Sequence, residues 1–204
     1  MNLNSLFNKQ QKLDEYIVKE KELEGQDLLP RKTVALICEL YECVNEARFF
    51  KFWSENQKAR TTGKERCFAC EGAGRFIYPG EFVDGHTYAE GCAECQGTGW
   101  IPTDKNPLLE EYIDTIHFTL SIANDLGVHE HKYVKTQPQD LNKLVLGITN
   151  LATIIPTSRE PHHVKSLLNN IIALGYQLGF DEKTVIEAYH EKNKVNYERQ
   201  ENGY

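Results

Sequence analysis

One cysteine unit, CxxCxGxG, occurs twice in the chain, and its four cysteines lie within 29 residues. Two CxxC turns place four thiolates in the tetrahedral arrangement that Zn²⁺ favours, and the glycines let backbone N–H groups face the sulfurs. Four cysteines leave no open position for water, so this zinc would be structural. Free thiols or a redox dithiol are the alternatives. The predicted zinc ligands are Cys67, Cys70, Cys92 and Cys95.

The segment 61–103 around these cysteines is predicted to be a small inserted module. It is rich in glycine and contains short β-prone pieces such as 75–78. The cysteine unit resembles half of the zinc domain of J-domain chaperones, which carries twice as many repeats. Three basic side chains against six acidic ones argue against nucleic-acid binding by this segment. We expect a structural or subunit-contact role.

Helical patterns flank the insert on both sides. Apolar spacing predicts six helices, at 3–22, 30–53, 107–126, 139–155, 162–178 and 181–200, with Asp181 as the cap of the last. No alternation of strands and helices supports a Rossmann or TIM-barrel fold. The predicted fold class is therefore all-α, with a helical domain at 1–60 and 104–204 and a small zinc-binding, β-rich module at 61–103.

The charge balance gives no general attraction to polyanions. Thirty acidic against 23 basic side chains give a formal charge of −7, which disfavours a phosphate backbone or an anionic membrane as partner. The N-terminal residues lack the apolar run of a secretory signal, and no stretch approaches the roughly 18 apolar residues of a membrane span. We expect a cytoplasmic protein that holds any phosphorylated substrate through a metal or a few local cations.

Two pairs of carboxylates lie on the predicted helices next to the insert. Glu39 and Glu42 form an ExxE pair, and Glu111 and Asp114 form an ExxD pair. A separation of three residues places each pair on one helix face. Carboxylates gathered in a partly dry space must take up protons or bind cations, and hard oxygen ligands suit Mg²⁺. Solvated helix faces are the alternative, because most Glu pairs at this spacing simply face water.

Five motifs extend over both ends of the chain: Gln10-Gln-Lys-Leu-Asp14, Glu39-Leu-Tyr-Glu42, Phe50-Lys-Phe-Trp53, Leu108-Leu-Glu-Glu-Tyr-Ile-Asp114, and Tyr189-His-Glu-Lys192 continued by Asn196, Arg199, Gln200 and Tyr204. Together they resemble the all-α dimeric dUTP diphosphatases, which belong to the MazG-like nucleotide pyrophosphohydrolases. The resemblance implies a MazG-like helical bundle, a homodimer and a small-molecule nucleotide substrate. The chain departs from the family pattern in the 68 residues between Glu42 and Glu111, a gap that the zinc module fills.

The same resemblance implies that the four carboxylates of the two pairs hold Mg²⁺ against a triphosphate. A water activated at Glu42 would attack the α-phosphorus and release dUMP and pyrophosphate. Metal chemistry agrees with this expectation, because bound metal ions neutralise phosphate charge and generate a nucleophile near neutral pH.

The resemblance also implies a set of substrate-binding residues. Lys192 and Arg199 would contact phosphates, and Asn196 would pair with uracil, because an amide offers a donor and an acceptor together. From spacing alone, these three residues form a solvated helix face. Trp53 is a candidate aromatic wall for the base, with a core tryptophan as the alternative. The full predicted set is Gln10, Trp53, Lys192, Asn196, Arg199 and Tyr204.

Histidines are left out of the predicted site. His117 follows Asp114 by three residues, but its helical-wheel position points away from the carboxylates, and we expect all seven histidines to be surface or core residues. Two other functions remain open, another nucleotide pyrophosphohydrolase that takes dCTP or nucleotides in general, and a non-catalytic zinc-bearing interaction protein. The paired carboxylates favour an enzyme, because an interaction module needs no four converging carboxylates.

Overall fold

The computed structural model describes residues 1–78 and 88–203, so the predicted contact of Tyr204 lies outside the described residues. Within them lie six helices: α1 (Asn4–Glu20), α2 (Leu29–Ala47), α3 (Pro107–Asp125), α4 (Leu141–Ser158), α5 (Pro161–Gln177) and α6 (Glu182–Glu201). Four short strands separate α2 from α3: β1 (Gly63–Arg66), β2 (Arg75–Tyr78), β3 (Tyr88–Gly91) and β4 (Trp100–Thr103). The all-α fold class is confirmed. None of the helices in the described ranges is long and apolar enough to span a membrane.

The chain divides into two compact units, a helical unit of Met1–Ala59 with Leu108–Tyr204, and a cysteine module of Arg60–Pro107. One hydrophobic core connects the helices of the helical unit. Its fully buried side chains include Leu6 of α1, Leu36 and Leu40 of α2, Ile116 and Leu120 of α3, Ile148 of α4, Ile171 of α5 and Val185 of α6. Because α3 carries apolar residues on both sides, it is buried on most of its surface. Its polar residues are therefore held by core packing.

The predicted continuation of α2 to residue 53 is wrong, because the helix ends at Ala47. Arg48 adopts the left-handed conformation, with φ +62°, and its Nη2 atom donates to the carbonyl oxygen of Asn56 at 2.7 Å. Beyond it, the ring of Phe50 packs edge-on against Trp53, with 5.7 Å between centroids. The apolar residues after Ala47 thus serve a local aromatic cluster rather than a helix face.

Two helix ends show the effect of local chemistry. The carboxylate of Asp181 accepts the N–H of Thr184 at 2.8 Å, which confirms the predicted cap of α6. In contrast, α4 does not stop before Pro156 as predicted but continues to Ser158. A proline late in a helix removes only the hydrogen bond of its own nitrogen, and the left-handed Arg159 then ends the helix.

The cysteine module consists of two antiparallel pairs of strands. β1 pairs with β4, so that Gly63 lies opposite Thr103, and β2 pairs with β3. The four cysteines are buried together, and Phe76 and Ile101 pack against them from the two pairings. A module of this size has little apolar core, so its order depends on the cysteines.

Candidate active site

Three carboxylates from two helices meet at one edge of the helical unit. Glu39 lies on α2, and Glu111 and Asp114 lie one turn apart on α3. One oxygen atom of each carboxylate lies within 4.8 Å of an oxygen atom of both others. The spacing of three residues makes this possible, because it keeps Glu111 and Asp114 on one face of α3. A set of hard oxygen donors at such distances fits a divalent cation such as Mg²⁺.

Burial and mutual repulsion raise the pKa values in this carboxylate cluster. Burial is the main reason that the pKa of Glu39 rises to about 7, and the charges of Asp114 and Glu42 add to it. The pKa of Glu111 also rises to about 7, first through burial and then through the charges of Glu42, Asp114 and Glu39. All three residues of the cluster are half-buried. A bound cation would offset the repulsion and keep the carboxylates ionised.

Glu42 lies at the outer side of the cluster. It lines a surface cavity of about 490 Å³ together with Tyr41, Glu46 and Glu111. Its charge raises the pKa of both Glu39 and Glu111, which places its carboxylate near both. The structure therefore brings all four predicted Mg²⁺ ligands to the same edge, with Glu42 next to the tight triplet formed by the other three.

Helix α6 adds a cation to this edge. The Nζ atom of Lys192 lies 2.6 Å from an oxygen of Asp114 and 3.2 Å from an oxygen of Glu110. Only 12 % of the Lys192 side chain is exposed, and although burial opposes its charge, the two carboxylates raise its pKa above the ordinary value. Lys192, which is predicted to contact phosphates, is thus held at the carboxylate cluster.

A second cavity, of about 230 Å³, adjoins the same carboxylates on the inner side, and we call it the inner cavity. Its lining comes from four helices that are distant in sequence. It consists of Gln10, Leu13, Asp14 and Ile17 of α1, Glu39 of α2, Asp114, His117 and Phe118 of α3, and Asn196, Arg199 and Gln200 of α6. Three predicted substrate-binding residues, Gln10, Asn196 and Arg199, therefore converge beside two predicted metal ligands.

A hydrogen-bond network fixes the amide of Gln10 in the wall of the inner cavity. Its Oε1 atom accepts the hydroxyl of Tyr189 at 2.7 Å and lies 2.7 Å from Nδ1 of His117. Its Nε2 atom donates to Asp14 at 2.7 Å. The ring of Tyr189 stacks on that of His117, with 4.1 Å between centroids and 13° between planes. Three side chains thus determine how Gln10 faces the cavity.

His117 is a cavity residue that the sequence analysis missed. Only 4 % of the residue is exposed, which agrees with the core rather than the surface among the two positions expected, but its ring also lines the inner cavity. Burial, and to a lesser extent the charge of Lys192, lower the pKa of His117 to about 3, so the ring is neutral. The spacing from Asp114 was the available signal, because residues three apart on α3 share a face.

Trp53 lies apart from the inner cavity. It follows the end of α2, is 66 % exposed and packs edge-on against Phe50 and Phe52. It is absent from the described lining of either cavity at the carboxylates. A role as an aromatic wall for a base therefore requires a surface other than the described lining of these two cavities.

The cysteine module gathers its four sulfurs as the repeated unit predicts. They lie within 4.8 Å of one another, with Cys67 3.9 Å from Cys92 and Cys70 3.7 Å from Cys95. Backbone N–H groups face two of them, from Gly74 to Cys70 and from Gly99 to Cys95, each at 3.2 Å. Such N–H groups stabilise thiolates, and four buried sulfurs at these distances fit one tetrahedral metal ion.

The glycines of the two CxxCxGxG units explain why the unit occurs twice in the sequence. Gly74 and Gly99 have φ of +72° and +78°, a conformation that favours glycine. A β-carbon at Gly74 would clash with the carbonyl oxygen of Gly97, and one at Gly99 would clash with that of Gly72. Each unit therefore packs closely against the other, and neither forms alone in this geometry.

Comparison with family models matches residues 2–66 and 99–204 to the family described as dUTPase. No curated protein and no solved structure matches the chain. The matched residues include all six helices, and with them the four carboxylates and the whole described lining of the inner cavity. The unmatched stretch lies inside the cysteine module. The chain therefore belongs to the all-α dUTPase family, the hydrolases that act on dUTP.

Proposed function

We propose that this protein hydrolyses dUTP to dUMP and pyrophosphate in a Mg²⁺-dependent reaction. One observation carries the proposal, the convergence of Glu39, Glu111 and Asp114 beside a cavity that Asn196 and Arg199 also line. This convergence supports one site that combines a metal centre with contacts to the base and the phosphates. Family membership supplies the substrate, and the geometry supports the assignment of residues to roles.

The donor set fits Mg²⁺. It consists of carboxylate oxygens alone, and burial first and mutual repulsion second raise the pKa values of Glu39 and Glu111, effects that a bound divalent cation offsets. We assign the metal to Glu39, Glu42, Glu111 and Asp114. When bound, Mg²⁺ would neutralise phosphate charge and lower the pKa of a coordinated water. Glu42, at the outer side of the cluster, would orient the attacking water and accept its proton.

The substrate contacts follow from the two sides of the site. The charges of Lys192 and Arg199 both act on Glu39, and these two cations would hold phosphate oxygens. Asn196 would bond the edge of uracil in the inner cavity, and Gln10 would approach the nucleoside from α1. We keep Trp53 as the aromatic wall for the base, and Tyr204 as a further substrate contact.

We propose a homodimer as the functional form. Two exposed apolar side chains, Val34 of α2 and Leu146 of α4, are 62 % and 63 % exposed. The hydroxyl groups of Tyr41 and Thr149, 3.3 Å apart, connect the same two helices. Exposed apolar side chains on two neighbouring helices mark an interaction surface where they form one patch. A second copy of this chain, covering α2 and α4, would also shield the outer side of the carboxylate cluster.

We assign structural Zn²⁺ to Cys67, Cys70, Cys92 and Cys95, within an inserted module at residues 61–103. The helical domain at 1–60 and 104–204 would then carry the whole reaction. The buried, closed set of four sulfurs supports this division, because a catalytic zinc keeps a position open for water. Reduced thiols of this kind fit the cytoplasm, where we expect the enzyme to act.

Pyrophosphate release from a panel of nucleoside triphosphates tests the function. We expect Mg²⁺-dependent release from dUTP, well above that from dCTP, dTTP or UTP, and its abolition by excess EDTA. Equal release from dCTP or from all nucleotides would replace the proposal with a broader pyrophosphohydrolase. Undiminished activity in excess EDTA would refute the metal mechanism.

A further inference from the structure

The amide of Gln10 is held in one of two possible orientations. An amide has one acceptor and one donor end, and a rotation by 180° exchanges them. In the observed orientation its donor end faces Asp14 at 2.7 Å. Its acceptor end faces Tyr189 and His117, also at 2.7 Å. The group that selects the orientation of the Gln10 amide therefore also decides which ring nitrogen of His117 carries the proton.

Asp14 makes the selection. An ionised carboxylate only accepts hydrogen bonds, so the rotated amide would place Oε1 of Gln10 against an oxygen of Asp14. The hydroxyl of Tyr189 can donate or accept and imposes no orientation. Burial raises the pKa of Asp14, and Lys32 opposes that rise and favours the ionised form, because its Nζ atom lies 3.7 Å from Oδ2 of Asp14, while its closest partner is Asp125 at 2.7 Å.

The orientation of Gln10 fixes the tautomer of His117. Since Oε1 of Gln10 is an acceptor, Nδ1 of His117 must carry the proton. In a neutral ring the other nitrogen, Nε2, is then an acceptor. This atom is buried and has no hydrogen-bond partner among the described residues. The ring lines the inner cavity beside Asn196, and a buried acceptor without a partner is costly unless a ligand supplies a donor.

We propose that Asp14 is a positioning residue for nucleoside recognition: by orienting Gln10 it holds His117 in the tautomer whose Nε2 accepts a hydrogen bond from the nucleoside. This inference rests on the proposed function and extends it from substrate contacts to the side chain that sets their polarity. The donor is an N–H or O–H group, either N3–H of uracil or the 3′-hydroxyl of the sugar. Cytosine offers no proton at N3, so the first source would contribute to base selection.

The first experiment needs no substrate. Nitrogen-15 NMR of the ring nitrogens, with His117→Phe to assign the signal, reports the tautomer in the full-length protein. We expect a protonated Nδ1 and an unprotonated Nε2 in the unmodified protein. We expect exchange between tautomers in Asp14→Ala, and recovery of the original signal in Asp14→Asn, which keeps an oxygen for the amide of Gln10. A protonated Nε2 in the unmodified protein would overturn the proposal.

Kinetics with dUTP provide the second experiment. Asp14→Ala should raise KM about tenfold and change kcat by less than about threefold, because a binding contact is lost and the metal centre is kept. Glu15→Ala is the matched control, since it removes an exposed carboxylate from the next position of α1. In a His117→Phe background, Asp14→Ala should change KM by less than about twofold. An equal effect in both backgrounds would show that Asp14 does not act through His117 and would overturn the proposal.

Two substrate analogues identify the donor. If N3–H of uracil is the donor, Asp14→Ala reduces the preference for dUTP over dCTP and weakens dideoxy-UTP by the same factor as dUTP. If the 3′-hydroxyl is the donor, dideoxy-UTP becomes insensitive to Asp14→Ala and the base preference is kept. If the unmodified protein does not hydrolyse dUTP, the proposed function is refuted. The proposal that Asp14 sets the tautomer of His117 is tested separately, because the tautomer is measured without substrate.

Discussion

The carboxylate cluster of the helical unit and the cysteine cluster of the module each gather metal ligands, but they do so in different surroundings. Glu39, Glu111 and Asp114 are half-buried and border two cavities. The four cysteines are buried, with exposures between 0 and 6 %. A metal at the carboxylates would keep room for water and a phosphate, whereas a metal among the cysteines would have its coordination filled by protein.

The comparison teaches how ligand chemistry separates reaction from structure. The carboxylates repel one another, and Lys192 offsets part of that repulsion from α6. The sulfurs instead receive backbone N–H groups from Gly74 and Gly99, which are part of the chain turns themselves. A side chain that offsets charge repulsion can move when a ligand binds or leaves, which suits a site that exchanges ligands. Backbone N–H groups are fixed by the fold, which suits a site whose metal stays bound.

The largest effect is expected when one charge is removed from the carboxylate cluster. Glu111→Gln keeps the size of the side chain but should lower kcat at least about a hundredfold, or about 2.7 kcal/mol on the barrier. The melting temperature in metal-free buffer should stay unchanged or rise, because like-charge repulsion is relieved. Steady-state kinetics and calorimetry measure the two effects, with the exposed Glu187→Gln as control. Full activity of Glu111→Gln would contradict the assignment of the cluster.

The next largest effect concerns the inner cavity. Asn196→Ala should lower kcat/KM for dUTP by about tenfold to a hundredfold, because a buried base edge is left without its partner. The loss for dCTP should be smaller, so the ratio of kcat/KM between the two nucleotides reports base reading directly. Unchanged selectivity in this variant would place the recognition of uracil on other residues.

A smaller effect follows from the raised pKa values. Glu39 and Glu111 have pKa values of about 7 in the folded protein, above the ordinary 4.5. The folded state then binds more protons than the unfolded state between these values, so stability falls as pH rises from about 4.5 to 7. Thermal unfolding without metal should show a melting temperature several degrees lower at pH 8 than at pH 5.5. Mg²⁺ should raise it more at pH 8, and Glu111→Gln should flatten the dependence.

The smallest effect on the reaction is expected when a cysteine of the cysteine cluster is replaced. Cys92→Ser should lower the zinc content from about one ion per chain and reduce the stability of the module, since structural zinc contributes on the order of 10 kcal/mol. The kcat of protein that remains folded should change by less than about twofold. Cys38→Ser, outside the cluster, should leave the zinc content unchanged. Elemental analysis that finds no zinc, together with four reactive thiols, would contradict this prediction.

The sequence predicted most reliably what local chemistry determines. The spacing of three residues predicted that Glu111 and Asp114 lie together on one face of α3, and the Asp181 cap was predicted correctly. The end of α2 was missed, because the aromatic residues after Ala47 continue an apolar pattern and only their packing on one another shows that the helix has stopped.

The lining of the inner cavity shows the limit of the same approach. His117 contacts Gln10, which lies 107 positions earlier in the chain, and no helical wheel contains such a relation. The helical wheel indicated only that His117 points away from the carboxylates and left open whether it lies on the surface or in the core, so it gave no reason to assign the residue to a cavity. Long-range hydrogen bonds thus decide which buried polar residue faces a ligand.

The pairing of β1 with β4 has a consequence for how the chain closes its site. Gly63 lies opposite Thr103, and the N–H of Gly63 donates to the carbonyl oxygen of Lys105 at 2.7 Å, so the chain enters and leaves the module side by side. Once the module is folded, the connection between α2 and α3 is shortened to roughly a third of its length, which lowers the entropy cost of loop closure by about 1 kcal/mol. A metal bound in the module would stabilise this shortened connection and would thereby make it easier for Glu39 and Glu111 to come together. The metal need not contact either residue, because the effect comes only from the lower entropy cost of loop closure.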